Sequence, residues 1–264
     1  MATSSRAGRL TVVGTGIGAR RHIIGPAVAA IGDAELVLHQ IDDPVTAAWL
    51  AATNATTRAV FEQADASTLS TSVYEAIAQE VADEVVAGAD VCFVTYGHPG
   101  VYQHAAHRAI ELVRAAGLRG EMLPGVSALD CLIADVGVDI ATGCTVLDAT
   151  AIVLQNKQLD PSLDLVVFQI GIFGNPYVGA QQPVGIDLLA DRLITAWGSD
   201  HRAIIYEAPM TNDEPPTIEP ITLDELAHAE LTARSMLYVA ALEPDPIDMV
   251  AAAQLAARLA EQSL

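Results

Sequence analysis

The feature that most limits the fold is the opening strand, helix and strand. "LTVVGTGIG", residues 10–18, is an apolar run that ends in a glycine turn. "HIIGPAVAAIGDA" follows with helical character, and "ELVLHQ", residues 35–40, is a second apolar run. Strands joined by a crossover helix lie parallel, whereas antiparallel neighbours need only a short hairpin. Parallel sheets are covered by helices on both faces, so their strands are apolar nearly throughout, as these are.

The alternation continues. "TSVYEAIAQEVADEVVAGA" reads as a helix closed by glycine, "DVCFVTYGHPG" as a strand and loop, and "YQHAAHRAIELVRAAG" as another helix. "EMLPGV" reads as a short strand into a turn. "SALDCLIADVG" reads as a helix whose first amides Ser127 can cap, with Asp130 and Asp135 facing water. A hinge is placed here. Strands are expected at "TVLDA", "DLVVFQIG", "HRAIIYEA" and "SMLYVAAL", with helices between them. The fold class is therefore α/β in two lobes, residues 9–123 and 127–242, followed by a C-terminal amphipathic helix within 243–264.

Charge and composition exclude several kinds of partner. Thirty-three acidic residues stand against thirteen basic ones, giving a formal net charge of −20. Such a surface repels phosphate backbones and anionic membranes, so neither nucleic acid nor membrane is an expected partner. No stretch has the roughly 18 uninterrupted apolar residues of a spanning helix, and "MATSSRAGRL" lacks the apolar core of a signal peptide. Cys92, Cys131 and Cys144 show no CxxC spacing, and His104 and His107 share a helix without a third ligand. A cytoplasmic protein without a metal is expected.

Two glycine-containing loops are candidate binding elements. Gly14 to Ala19, "GTGIGA", fits a variant of the dinucleotide fingerprint. That fingerprint needs an acid at the end of the second strand, where His39 and Gln40 stand, with Asp42 and Asp43 slightly late. The same glycines also serve a tight turn into a helix without any ligand. The second loop, "VTYGHPGVY", residues 94–102, offers two glycines, a proline and three polar rings but no charged side chain. Such a loop suits a ligand that is met by backbone groups. Gln169, a polar residue near the end of an apolar strand, needs a hydrogen-bond partner there, either ligand or backbone.

Taken together, "VVGTGIG", "YGHPGVY" and "LPGVSALD" in this order resemble the tetrapyrrole methylase superfamily of S-adenosylmethionine-dependent methyltransferases. "YGHPGVY", "MLPGVSALDCLIADVGVD", "NKQLDPSLDLVVFQIG" and "MLYVA" are similar more specifically to the borosin peptide backbone α-N-methyltransferases, over about residues 9 to 242. The resemblance implies two lobes with S-adenosylmethionine in the cleft between them, and a homodimer. It implies cofactor contacts at Tyr96, His98, Pro99, Gly100, Val101, Tyr102, Ser127, Ala128, Gln169 and Tyr238. It also implies catalysis by tyrosine hydroxyls and an arginine. Tyr74 matches one such tyrosine, although an aromatic at that position also serves helix packing. The arginine expected four residues earlier is Ser70. The second tyrosine falls on Glu62 or Ala64, which leaves Arg58 as the nearest upstream cation; the catalytic set expected here is Tyr74, Tyr96 and Arg58.

Three functions follow. The first is methylation of backbone amides in a separate precursor peptide during biosynthesis of a ribosomally made natural product. Methylation of a tetrapyrrole or other small molecule is the second, and a peptide-binding subunit with impaired catalysis is the third. A separate peptide is expected because "EPDPIDMVAAAQLAARLAEQSL" reads as an amphipathic helix and not as a substrate core.

Overall fold

A computed structural model describes residues 7–60, 65, 67–211, 213–242 and 246–262. The first half runs β1 (Arg9–Gly14), α1 (Gly25–Asp33), β2 (Leu36–His39), α2 (Pro44–Thr53), β3 (Thr57–Ala59), α3 (Ser70–Val86), β4 (Asp90–Thr95), α4 (His104–Ala115) and β5 (Arg119–Met122). Its five strands form one parallel sheet in the order β3-β2-β4-β1-β5. Alternate residues of the central strands point to opposite faces. Val12, Val91 and Phe93 pack under α3 and α4, while Val13, Cys92 and Val94 pack under α1 and α2. The chain leaving β1 therefore turns to one face and the chain leaving β4 to the other. A crevice opens at the carboxyl ends of these strands, the usual place for a ligand in such sheets.

The second half runs α5 (Ala128–Val136), β6 (Cys144–Asp148), α6 (Ala149–Leu154), β7 (Asp164–Phe168), α7 (Ile186–Trp197), β8 (Arg202–Glu207), β9 (Thr217–Thr222), β10 (Met236–Val239) and α8 (Met249–Gln262). Its sheet has the order β6-β7-β10-β8-β9 and is mixed: only β6 and β7 pair in parallel. One face of this sheet packs on α6 and α7 through Ile152, Leu189, Leu193 and Trp197. The opposite face, through Val166, Phe168, Tyr206 and Met236, meets Cys131 and Leu132 of α5 and Ile17 from the first half. That shared cluster joins the lobes.

Helix α5 is fastened at both ends. Ser127 and Asp130 form a reciprocal capping box, with the Ser127 N–H donating to Asp130 Oδ2 at 2.7 Å. Gly137 closes the helix in the left-handed region. Asp135 is exposed, as expected, and one of its oxygens also accepts a 2.6 Å hydrogen bond from the hydroxyl of the buried Tyr206. A buried phenol requires that partner.

Two strands were not legible in the sequence. β3 has three residues and little apolar content, and β9 is an exposed edge strand interrupted by Pro220. An edge tolerates proline because it needs fewer backbone donors. No helix among the described residues is long and apolar enough to cross a membrane.

Candidate functional site

The two loops singled out in the sequence meet at the crevice. Gly16 and Gly97 exchange backbone hydrogen bonds at 3.1 and 3.2 Å, which staples the β1 loop to the β4 loop. A Cβ at Gly14 would stand 2.0 Å from the Gly97 carbonyl oxygen and 2.8 Å from Pro99 Cδ, so only glycine permits this approach. "GTGIGA" does not open a helix, since α1 begins only at Gly25. The dinucleotide fingerprint requires a helix there to receive the pyrophosphate. The glycines instead hold the β4 loop in place.

Two cavities adjoin this junction. The first, about 260 Å³, is lined by Tyr96, His98, Val101, Tyr102, Ser127, Ala128 and Gln169, together with Ile17, Phe168 and Met236. The second, about 320 Å³, is lined by residues 15–19, by Gln40 to Asp43, and by Tyr96, Met210 and Arg234. Ile17, Tyr96 and Arg234 belong to both. Tyr74 lines a smaller recess, about 190 Å³, with Gln40, Tyr102 and Gln103, residues that also border the two cavities.

Local geometry fixes these side chains. The Tyr102 ring stacks on Phe168 at 4.6 Å, linking the two lobes across the first cavity. His98 Nδ1 accepts the Gly100 N–H at 2.9 Å, and Gln103 donates to the Tyr96 carbonyl at 3.0 Å. Gln169 and Tyr102 both take left-handed backbone conformations, with φ of 61° and 55°. Burial pushes the Tyr96 phenol up to about 12, against the opposing charge of Arg234. Its hydroxyl donates to Met210 Sδ at 3.2 Å, so at neutral pH it is a proton donor within the shared wall.

Several expected site residues lie elsewhere. Pro99 packs behind the loop against Gly14 and Gly125, and the Gly100 Cβ position faces Met122 Sδ and the His98 ring; neither is among the residues that line these two cavities. Tyr238 is buried on β10, where its hydroxyl donates to Asp164 at 3.0 Å. Arg58 sits on the edge strand β3, and its guanidinium pairs with Glu80 and Glu84 of α3, which holds it away from the cleft. Glu62 and Ala64 lie outside the described residues. Ser70, where an arginine was expected, begins α3, and its N–H donates to the Pro176 carbonyl. His104 meets Glu75, and His107 meets the Gly100 carbonyl.

Sequence reasoning missed Ile17, Phe168, Met210 and Arg234. Phe168 directly precedes Gln169 and was within reach. Arg234 stands alone in the turn before β10, without periodicity or a motif to mark it.

A two-lobed α/β fold with an uncharged glycine loop at a crevice between the lobes is the architecture of the tetrapyrrole methylases. A sequence profile of the tetrapyrrole (corrin/porphyrin) methylases matches residues 9–227, and the chain belongs to that family. Among solved structures, the uroporphyrin-III-C-methyltransferase of Thermus thermophilus superposes with a TM-score of 0.64 at 20% identity, covering 89% of this chain and 93% of that one. A diphthine synthase superposes with a TM-score of 0.56 at 16% identity, covering 88% and 89%. These likenesses concern the fold.

Curated relatives lie closer in sequence. A methyltransferase/ribosomally synthesized type I borosin cyclic peptide precursor from Coprinopsis marcescibilis is 37% identical over 226 residues, 84% of this chain and 58% of that protein. A type III borosin precursor from Anomoporia bombycina is 35% identical over 95% of this chain and 30% of its own length. The omphalotin A precursor from Omphalotus olearius is 32% identical over 88% and 56%. The chain thus spans between 30% and 58% of the length of these three relatives.

Proposed function

We propose that this chain transfers the methyl group of S-adenosylmethionine to backbone amide nitrogens of a peptide supplied as a separate molecule. The observation that carries this reading is the pair of cavities meeting at Tyr96 in a chain whose curated relatives are named as fused methyltransferases and borosin peptide precursors.

The first cavity suits the cofactor. Its polar groups are the backbone and side chains around Tyr96 to Gln103, the Ser127 hydroxyl, the Gln169 amide and the Arg234 guanidinium, and among the described residues no carboxylate lines it to compete with the cofactor's own. Aromatic and aliphatic walls from Tyr102, Phe168, Val101 and Met236 fit an adenosine. When bound, S-adenosylmethionine supplies a methyl group activated by its positively charged sulfur. The second cavity reaches the same wall through Tyr96, and it is there that an extended peptide would present an amide. Tyr74, in the adjoining recess, would border the incoming chain.

The described segment after β10 does not itself occupy the site. No described residue beyond Met236 lines either cavity, and residues 249–262 form an exposed helix. Incubation with S-adenosylmethionine and a peptide from a neighbouring reading frame is expected to add whole methylene increments of mass, located on backbone nitrogens by fragmentation. Binding of the peptide with no mass gain would favour a non-catalytic partner subunit. Methylation mapped within the chain itself would refute supply in trans.

A further inference from the structure

A peptide amide is a poor nucleophile at nitrogen, because its lone pair is delocalised onto the carbonyl oxygen. Removing the N–H proton leaves negative charge shared by nitrogen and oxygen. A fixed cation placed at that oxygen stabilises the charge and lowers the barrier. Arg234 is the one arginine or lysine lining either cavity among the described residues, and it stands in the wall that both cavities share, beside Tyr96.

The turn that carries Arg234 is built to hold it. The Thr232 N–H donates to Ser235 Oγ at 2.8 Å, the Arg234 N–H to Thr232 Oγ1 at 3.2 Å, and the Ser235 N–H to the Thr232 carbonyl at 2.9 Å. A Cβ at Gly171 would fall 1.7 Å from that carbonyl, so glycine lets the turn pack against the segment that follows Gln169. Glu207, only 11% exposed at its side chain, accepts the Ser235 and Thr232 hydroxyls at 2.5 and 2.6 Å. Its other oxygen faces Arg234 Nη2 at 3.4 Å. Glu207 therefore anchors the guanidinium through one long contact, and a five-donor group so held has donors to spare for a substrate.

We propose, on the peptide-methylation reading above, that Arg234 is a catalytic residue whose guanidinium stabilises the charge on the substrate amide oxygen while the Tyr96 hydroxyl hydrogen-bonds the same amide. The amide nitrogen gives its proton to water at the cleft mouth and bonds to the methyl carbon as the carbon–sulfur bond breaks. That bond's electron pair stays on sulfur. The products are the N-methyl amide, S-adenosylhomocysteine and a hydrated proton.

The test compares R234Q and R234K with the wild-type protein. R234Q is expected to lower kcat by about 10²- to 10³-fold, the usual loss on removing an oxyanion donor, with the KM for peptide changed by no more than about threefold. R234K is expected to recover part of the rate. Calorimetry should show S-adenosylhomocysteine binding to R234Q within about threefold of wild type. Weakened S-adenosylhomocysteine with intact binding of methylthioadenosine, which lacks the carboxylate, would make Arg234 a cofactor anchor and overturn the proposal. A second readout needs no turnover: 3-fluorotyrosine at position 96 reports its ionisation by fluorine NMR. R234Q should raise that midpoint and R234K should restore it. An unmoved midpoint overturns the proposal even if peptide methylation is observed. Absence of peptide methylation by the wild-type protein is a separate result, and it refutes the proposed function before any variant is compared.

Discussion

Replacing Gly14 with alanine tests whether the staple between the two loops builds the binding site. The new Cβ would overlap the Gly97 carbonyl oxygen, 2.0 Å away, and Pro99 Cδ, 2.8 Å away, and both belong to a loop whose backbone cannot swing aside as a side chain can. The β4 loop must retreat, straining or breaking the paired Gly16–Gly97 hydrogen bonds. Each is worth about 1 kcal/mol, and overpacking adds about 1 to 3 kcal/mol, so a loss of roughly 2 to 4 kcal/mol follows if one bond is lost. For a protein of this size each kcal/mol lowers Tm by about 2 to 4 °C, giving a fall of about 4 to 16 °C. Because the displaced segment carries Tyr96, His98 and Val101 into the first cavity, S-adenosylhomocysteine should bind at least about tenfold more weakly, a change of about 1.4 kcal/mol. Scanning calorimetry and titration calorimetry read the two effects. Gly32→Ala is the control: it lies in α1, nothing stands within 4 Å of its Cβ position, and it should gain about 0.5 to 1 kcal/mol. A Gly14→Ala protein with wild-type Tm and affinity would refute the staple as the organiser of the site.

Ser127→Ala removes the cap of α5 and is expected to cost about 1 kcal/mol by urea denaturation while also weakening S-adenosylhomocysteine; intact binding would remove Ser127 from the site. Burial raises the Tyr96 phenol to about 12 and the Cys92 and Cys131 thiols to about 12 and 11. The unfolded chain loses these protons first, so this stability is complete below about pH 9 and declines as pH rises through the folded values. A urea midpoint that stays flat from pH 8 to pH 11 would contradict it. The same burial predicts that Cys92 reacts with a disulfide reagent at neutral pH only on unfolding, and rapid modification of the native protein would refute its placement under α1 and α2. The resemblance to the borosin methyltransferases implies a homodimer, for which exposed apolar side chains such as Leu154, Ile247, Val250 and Leu255 offer surface, and light scattering that gives a monomer at micromolar concentration would count against it.

The parallel first sheet was legible because both faces of its strands are buried, which leaves continuous apolar runs such as "DVCFV". The loop at Tyr96 was legible because glycine and proline mark backbone geometry directly. Edge strands were less readable: β3 and β9 are stabilised by neighbours that lie outside their own segments. Arg58 shows the same limit from the other side. Nearness in sequence to an expected catalytic segment said nothing about Glu80 and Glu84, which arrive a helix later and hold it. Arg234 reaches Tyr96 from a turn 138 positions downstream, a proximity created only when the two sheets pack (234 − 96).

The left-handed conformations of Tyr102 and Gln169, one from each lobe, place the cleft in tension with the thermostability of the chain. Each costs about 1 to 2 kcal/mol compared with a residue that prefers that backbone region. Glycine at either position would relieve the cost, yet it would delete the ring that stacks on Phe168 or the amide that faces the first cavity. A directed-evolution screen for heat resistance alone would therefore favour changes that dismantle the site, and a useful screen must select for ligand binding at the same time.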